Sequence, residues 1–222
     1  MKNILLAFIC FFVFMGNLQF AFSGSGDFMP KSLKIEFEQS FKSVTGKMKS
    51  STGFLEYKRS SQIRIKENKD NSEFVSNQDT SWYYVPPFKT GEKGVVQINN
   101  SKNNNLVKIF DSLKNGLIDN ELYKVIEVKV DQFTLKFIDT KSKDIKIDHI
   151  DLFFRKIVFP DKVDHKQKNF KTLEFHDLES LSIAYIDGQK VDLKLLKIEE
   201  NNLFPDKNFE FQIPTNTEII KN

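Results

Sequence analysis

The sequence predicts a mainly β protein with some α: an incomplete, half-closed antiparallel β-barrel of about eleven strands covered by a lid of two or three helices. Three observations predict it. Beyond residue 53, apolar residues recur chiefly at every second position, the period of a strand with one buried face. Clusters of Asn, Asp, Ser and Gly punctuate those runs at short intervals, as tight turns do. Two other stretches place their apolar residues three or four apart, as a helix lying on a core does. Alternating runs bury one sheet face and wet the other. A long meander with one apolar face curls toward a barrel, and helical stripes are then available to cover its hollow side.

The chain begins with Lys2, an unbroken apolar run from Ile4 to Met15, and Gly16, Asn17 and Gln19 as breakers. Ala21-Phe22-Ser23 offers small residues where a signal peptidase reads, so residues 1–23 read as a secretory leader cut after Ser23. The run is short for a membrane span; a retained N-terminal anchor is the alternative. Residues 24–222 then form a single domain, long enough to bury a core without disulfides. Cys10, the only cysteine, leaves with the leader, which removes disulfide and thiol chemistry from the mature protein. It lies inside the apolar run and is not placed for lipid attachment. The free mature protein carries a net charge of about +2, its signs interspersed, with no basic stripe for nucleic acid.

Residues 30–45 read as the first helix. Pro30 suits a first turn, and Leu33, Phe37 and Phe41 recur every four positions, with Ile35 and Val44 nearby and Gly46 just beyond. Four meandering strands follow. They contain Leu55 and Tyr57; Ile63 and Ile65; Phe74 and Val75; and Trp82 to Val85. Pro86-Pro87 ends the series. Residues 89–105 read as a loop. A second helix follows, capped by Asn105, with Leu106, Ile109, Phe110 and Leu113 on its apolar face and Gly116 as its stop. Strands return at Ile126, Val128 and Val130; Phe133, Leu135 and Phe137; Ile145 and Ile147; Leu173 and Phe175; Leu181, Ile183 and Tyr185; Val191, Leu193 and Leu195; and Phe209, Phe211 and Ile213. Asp187-Gly188 marks a hairpin between two of them.

Three histidines (His149, His165 and His176) lack metal-site spacing, and neither a metal nor a cofactor is expected. No nucleophile elbow, phosphate loop or distinctive carboxylate pair is present, so the chain reads as a binding protein and not an enzyme. The salient chemistry is apolar and aromatic: 23 phenylalanines, and consecutive Trp82, Tyr83 and Tyr84. Alternation puts Trp82 and Tyr84 on one face and Tyr83 on the other. A filled core and a cavity wall both fit that pattern.

Gly53-Phe54-Leu55-Glu56-Tyr57-Lys58-Arg59 resembles the opening strand of the outer-membrane lipoprotein carrier (LolA) family. The run from Glu73 to Pro86, with Val75-Ser76-Asn77-Gln78 leading to Trp82-Tyr83-Tyr84-Val85-Pro86, resembles the family's second signature. Phe37, Gln39 and Phe41 are similar to its first helix, and Phe209-Glu210-Phe211-Gln212-Ile213-Pro214 to its last strand. Order and spacing match over most of residues 33–220. Three departures stand out. Ser60 replaces a proline, Asn77-Gln78 replaces an aspartate-glycine turn, and residues 156–172 read as an insertion.

The resemblance implies a periplasmic, monomeric carrier. It would bind the acyl chains of lipoproteins released by an inner-membrane lipoprotein-releasing ABC transporter and hand them to an outer-membrane lipoprotein receptor. A carrier or sensor of another lipid or a glycolipid on the same scaffold is the alternative. In the family, the arginine matching Arg59 hydrogen-bonds lid backbone and holds the empty form closed, a role suited to a guanidinium fork. With alternation taken as the guide to facing, the cavity wall is expected at Leu55, Tyr57, Ile63, Ile65, Trp82 and Tyr84. Lid contacts are expected at Leu33, Phe37, Phe41, Ile109 and Leu113. Each buried CH₂ of an acyl chain is worth ~0.8 kcal/mol, so a carrier that must release its cargo covers the chains only partly.

Overall fold

The computed structural model describes residues 28–42, 46–101, 105–113, 117–129, 131–139, 145–155 and 173–221. The expected leader and its cut after Ser23, the lead-in at residues 24–26, Val44, Gly116, Val130, His165 and the insertion at 156–172 lie outside them. The described residues form one open, unclosed sheet of twelve strands. They are β1 (Ser32–Lys42), β2 (Met48–Lys58), β3 (Gln62–Glu67), β4 (Glu73–Ser76), β5 (Thr80–Val85), β6 (Gly94–Asn100), β7 (Tyr123–Lys129), β8 (Gln132–Phe137), β9 (Ile147–Phe154), β10 (Leu178–Tyr185), β11 (Lys190–Glu200) and β12 (Thr217–Lys221). One α-helix, α1 (Asn105–Leu113), is present among the described residues, between β6 and β7. The architecture is the mainly β, incomplete barrel with a helical cover that the sequence predicts.

The first expected helix is instead the strand β1. Leu33, Phe37 and Phe41 are four apart, which is two strand repeats as well as about one helical turn. Ile35 resolves the ambiguity, because it completes an alternation with Lys34, Glu36 and Glu38 that only a strand satisfies. Long-range pairing then holds β1 in place. It lies between β2 and β11, antiparallel to both, at the middle of the sheet.

The sheet order is β12-β6-β5-β4-β3-β2-β1-β11-β10-β9-β8-β7. Two meanders, β1 to β6 and β7 to β11, therefore join along β1 and β11. The chain leaves one meander at β6 and enters the other at β7, near the opposite edge, so α1 lies on a connection that must cross the sheet. Residues 201–216 return from β11 toward the far edge, where β12 adds to β6 in parallel.

Several boundaries differ from expectation. Residues 94–100, read as loop, are β6, recruited between β5 and β12 despite their polar content. Leu173 and Phe175 lie not in a strand but at and before a short 3₁₀ turn, Phe175–Asp177. Ile145 precedes β9. Phe209 closes a 3₁₀ turn, Asp206–Phe209, and Phe211 and Ile213 follow in irregular chain; the last strand starts only at Thr217. In β7 the buried member is Tyr123, while Ile126 and Val128 are 48 % and 49 % exposed, so the inward set is shifted by one residue. The hairpin at Asp187-Gly188 is present, with Gly188 at φ +85° and its N–H donating to the Tyr185 carbonyl.

Candidate functional site

Register determines which residues share a face, because directly paired residues point to the same side. Leu33 pairs with Tyr57, Tyr57 with Ile63 and Ile63 with Ser76; Ile35 pairs with Leu55, Leu55 with Ile65 and Ile65 with Phe74. On the other side of β1, Phe37 pairs with Leu195 and Ile35 with Ile198. Farther along, Leu193, Leu181, Leu152 and Phe133 align, as do Val191, Ile183, Ile150 and Leu135. These residues make one apolar inner face running from β4 across the sheet to β7, and nearly all belong to a single packed cluster. Its two ends differ. Leu33, Ile35, Phe37, Tyr57, Ile63, Leu135 and Leu152 are almost fully buried. Toward the other ends of β1, β10 and β11, Phe41, Leu181, Ile183, Val191 and Leu193 are only half-buried.

Helix α1 lies on this face. A nine-residue helix has little stability alone, so packing must hold it. Val107, Ile109 and Leu113 are buried in the cluster. Phe110 stacks on Tyr57 with ring centroids 5.5 Å apart. The Ser61 hydroxyl donates to Asp111 Oδ2 at 2.9 Å, tying the helix to the turn between β2 and β3. That turn carries two residues in the left-handed region, Ser60 at φ +75° and Ser61 at φ +68°. Proline, locked near −65°, could not adopt the Ser60 conformation.

Tyr57 is fully buried at the foot of the helix, and its hydroxyl has no hydrogen-bond partner. Burial, with the Asp111 carboxylate adding to it and Arg59 opposing it, pushes that hydroxyl up to about 12. Burial also raises Tyr123, under the far end of the same face, with Ser112 and Asn120 pulling the other way. Gly53 faces Phe37 across the β1–β2 pair, and a Cβ there would stand 2.8 Å from the Phe37 ring and 2.4 Å from the Lys66 carbonyl oxygen. Only glycine permits this approach of ring and backbone.

Of the residues expected to form the wall, Leu55, Tyr57, Ile63 and Ile65 lie together on the inner face. Trp82 and Tyr84 do not. Phe74 pairs with Tyr83, so Tyr83 takes the inner face and its two neighbours the outer one. Parity along one strand cannot reveal this; the pairing to β4 decides it. Of the expected lid contacts, Ile109 and Leu113 belong to α1, whereas Leu33, Phe37 and Phe41 belong to β1 and are part of the sheet that the helix covers. Arg59 donates from Nη2 to the Met29 carbonyl at 3.0 Å, in the segment leading into β1 and not in a helix, while its backbone N–H bonds the Lys31 carbonyl.

Sequence reasoning missed half of the inner face. Phe133, Leu135, Ile150, Leu152, Leu181 and Leu193 contribute as much as β2 and β3 do, and their alternation was visible. It placed Phe110 on the apolar face of the second helix but missed its stack on Tyr57, and it missed the bond between Ser61 and Asp111, 50 residues apart. No local pattern announces that pairing.

On the outer face a second, smaller packing forms. Val75 and Val96 are buried there, and the chain after β11 crosses over them. Phe209 is fully buried, Phe204 packs edge-on against it at 6.1 Å, and Phe211 meets Tyr84 at 5.5 Å. Lys58 Nζ holds this segment through Asp206 Oδ1 at 2.6 Å and the Phe204 carbonyl at 3.3 Å. Tyr84 thus stands beneath a C-terminal strap, and Trp82 lies on the same face. Among the described residues, no group of three or more His, Cys, Asp or Glu side chains could hold a metal, and no helix is long and apolar enough to cross a membrane.

The fold and the site together define a class: an open, mostly antiparallel sheet whose apolar inner face is covered in part by a short helix. No protein-family model matches the chain, and no curated protein does. Among solved structures, it is similar to a LolA superfamily protein from Nitrosomonas europaea, at 9 % identity and a TM-score of 0.43 over 85 % of this chain and 94 % of that one. It is also similar to an uncharacterized conserved protein from Thermus thermophilus (9 %, TM-score 0.43, 87 % and 92 %) and to LprF from Mycobacterium bovis (11 %, TM-score 0.34, 82 % and 90 %). At these values the similarity is one of outline.

Proposed function

We propose that the chain is an exported carrier that holds the acyl chains of lipoproteins against the inner face of its sheet and delivers them from the inner to the outer membrane. The observation that carries this reading is the helix on the sheet. An apolar face far larger than α1 is covered in part by that short helix, joined to β2 and the β2–β3 turn by a ring stack and a hydroxyl–carboxylate bond, with Val107, Ile109 and Leu113 buried beneath it. A hydrocarbon chain offers the same surface the same burial. Displacing α1 loses its contacts, which offsets part of the ~0.8 kcal/mol per CH₂ that the acyl chain gains. The exchange gives a carrier that binds and still releases. The half-buried stretch at Phe41, Leu181, Ile183, Val191 and Leu193 is the natural place for a chain to enter. On this reading the protein binds and does no covalent chemistry; an inner-membrane ABC transporter loads it and an outer-membrane receptor unloads it.

Mass spectrometry of the organic extract of protein purified from its own envelope tests the proposal. Acylated peptides support it. Lipid without peptide moves the assignment to a carrier or sensor of another lipid. An extract without hydrocarbon, together with no gain in fluorescence of an apolar probe, defeats both. Arg59→Leu probes the clamp. Removing its bond to Met29 is expected to impair transfer of cargo to acceptor membranes, and transfer at the wild-type rate rules out that role.

A further inference from the structure

The outer face of β1, β11, β10 and β9 bears a depression. Register lays two rows of side chains across these strands. Glu38, Lys194, Ser180 and Phe153 align in one, and Ser40, Asp192, Ser182 and Asp151 in the other. The serines are short and their neighbours long, so these residues other than Asp151, joined by Glu179, Leu181 and Leu193, line a hollow of about 430 Å³. Small-ligand sites measure roughly 300–1,000 Å³. Asp151 is already bonded by the Thr134 hydroxyl at 2.6 Å and braces the far end. Ser182 lines the hollow, is only 3 % exposed, and its Oγ has no hydrogen-bond partner. Buried polar atoms are nearly always bonded, so this hydroxyl is a donor and acceptor in want of a partner.

We propose that this hollow is a binding site for a neutral polyhydroxylated ligand, a saccharide of one or two rings. Its lining alternates acceptors (Glu38 and Asp192), a donor (Lys194) and hydroxyls that do both, which matches a ring of neighbouring sugar hydroxyls. Phe153 offers an apolar surface to the C–H side of such a ring. The carboxylates disfavour an anion and the Lys194 ammonium disfavours a cation. The site lies on the face opposite α1 and stands or falls independently of the carrier reading.

The test uses the full-length protein and amide chemical-shift mapping with maltose, cellobiose and N,N′-diacetylchitobiose at millimolar concentration, and with spermidine as the cationic comparison. At least one sugar is expected to shift the amides of Ser180 to Ser182 and Asp192 to Lys194 in a saturable way. Ser182→Ala is expected to weaken that binding about tenfold, because the bonded sugar hydroxyl loses its partner. Its melting temperature is expected to equal or exceed that of the wild type, because the free protein loses only an unpaired hydroxyl. The proposal is overturned if no sugar shifts these amides, if spermidine alone does, or if Ser182→Ala binds as tightly as the wild type.

Discussion

Tyr57 concentrates three influences on one hydroxyl: burial, the Asp111 carboxylate and the Arg59 guanidinium. Below pH 10 the phenol is neutral in both folded and unfolded chains. Between pH 10 and about 12 the unfolded chain gives up this proton and the folded chain keeps it. The unfolded state then binds fewer protons, so stability falls as pH rises, by about 3 kcal/mol across the window. Urea midpoints at pH 8 and pH 11 should show the loss, and Tyr57→Phe should reduce it, leaving the share of Tyr83, Tyr123 and Tyr185, which burial also raises. At neutral pH the same substitution removes a buried, unpaired hydroxyl and should be neutral or stabilising by up to about 1 kcal/mol. Gly53 makes the opposite case. Gly53→Ala drives a Cβ into the Phe37 ring and the Lys66 carbonyl and should cost at least about 1–3 kcal/mol in urea unfolding. Phe37→Leu should not rescue it, because the carbonyl remains.

Helix α1 and the C-terminal strap are both elements held by a few rings, on opposite faces. In α1, Phe110→Ala removes the stack on Tyr57, an interaction worth ~0.5–1.5 kcal/mol beyond the area it buries. Hydrogen exchange should quicken at the amides of α1 while those of β1, β2 and β11 keep their protection, since local opening of a short helix leaves the sheet intact. Equal protection in α1 would mean that the buried aliphatic residues hold the helix without the ring. In the strap, Phe209 is the fully buried plug. Phe209→Ala should cost about 3–5 kcal/mol. Trp82 is the only tryptophan in the chain and lies on the same face, so its fluorescence should shift to the red with the sheet still formed.

At the scale of the whole molecule, the sheet is complete only when β11 docks beside β1, joining residues 33–41 to residues 191–200. Contacts this distant in sequence require a large loop to close before they stabilise anything, which slows folding. Refolding from urea should therefore extend over milliseconds to seconds. Completion in microseconds would imply that the two meanders fold separately and their junction adds little. The same topology explains the site. Two meanders joined at their middle leave their open edges far apart, and the link between them must pass over the inner face.

The sequence by itself determined the class of fold, because a repeat of two is imposed by strand geometry and survives any tertiary arrangement. It also announced turns with their own chemistry, such as Asp187-Gly188 and Asn77, whose side chain accepts from the Asp79 and Thr80 amides. Tertiary structure decided what local spacing leaves degenerate. A repeat of four in β1 suits strand and helix alike, and only pairing on both sides selects the strand. The face taken by Trp82, Tyr83 and Tyr84 depends on the register with β4, and a change of one residue exchanges wall for exterior. Residues 94–100, in part polar, become a strand because β5 on one side and β12 on the other supply backbone partners. The bond from Ser61 to Asp111 arises only once the chain has crossed the sheet. Periodicity is a property of neighbours along the chain, whereas facing and contact are properties of neighbours in space.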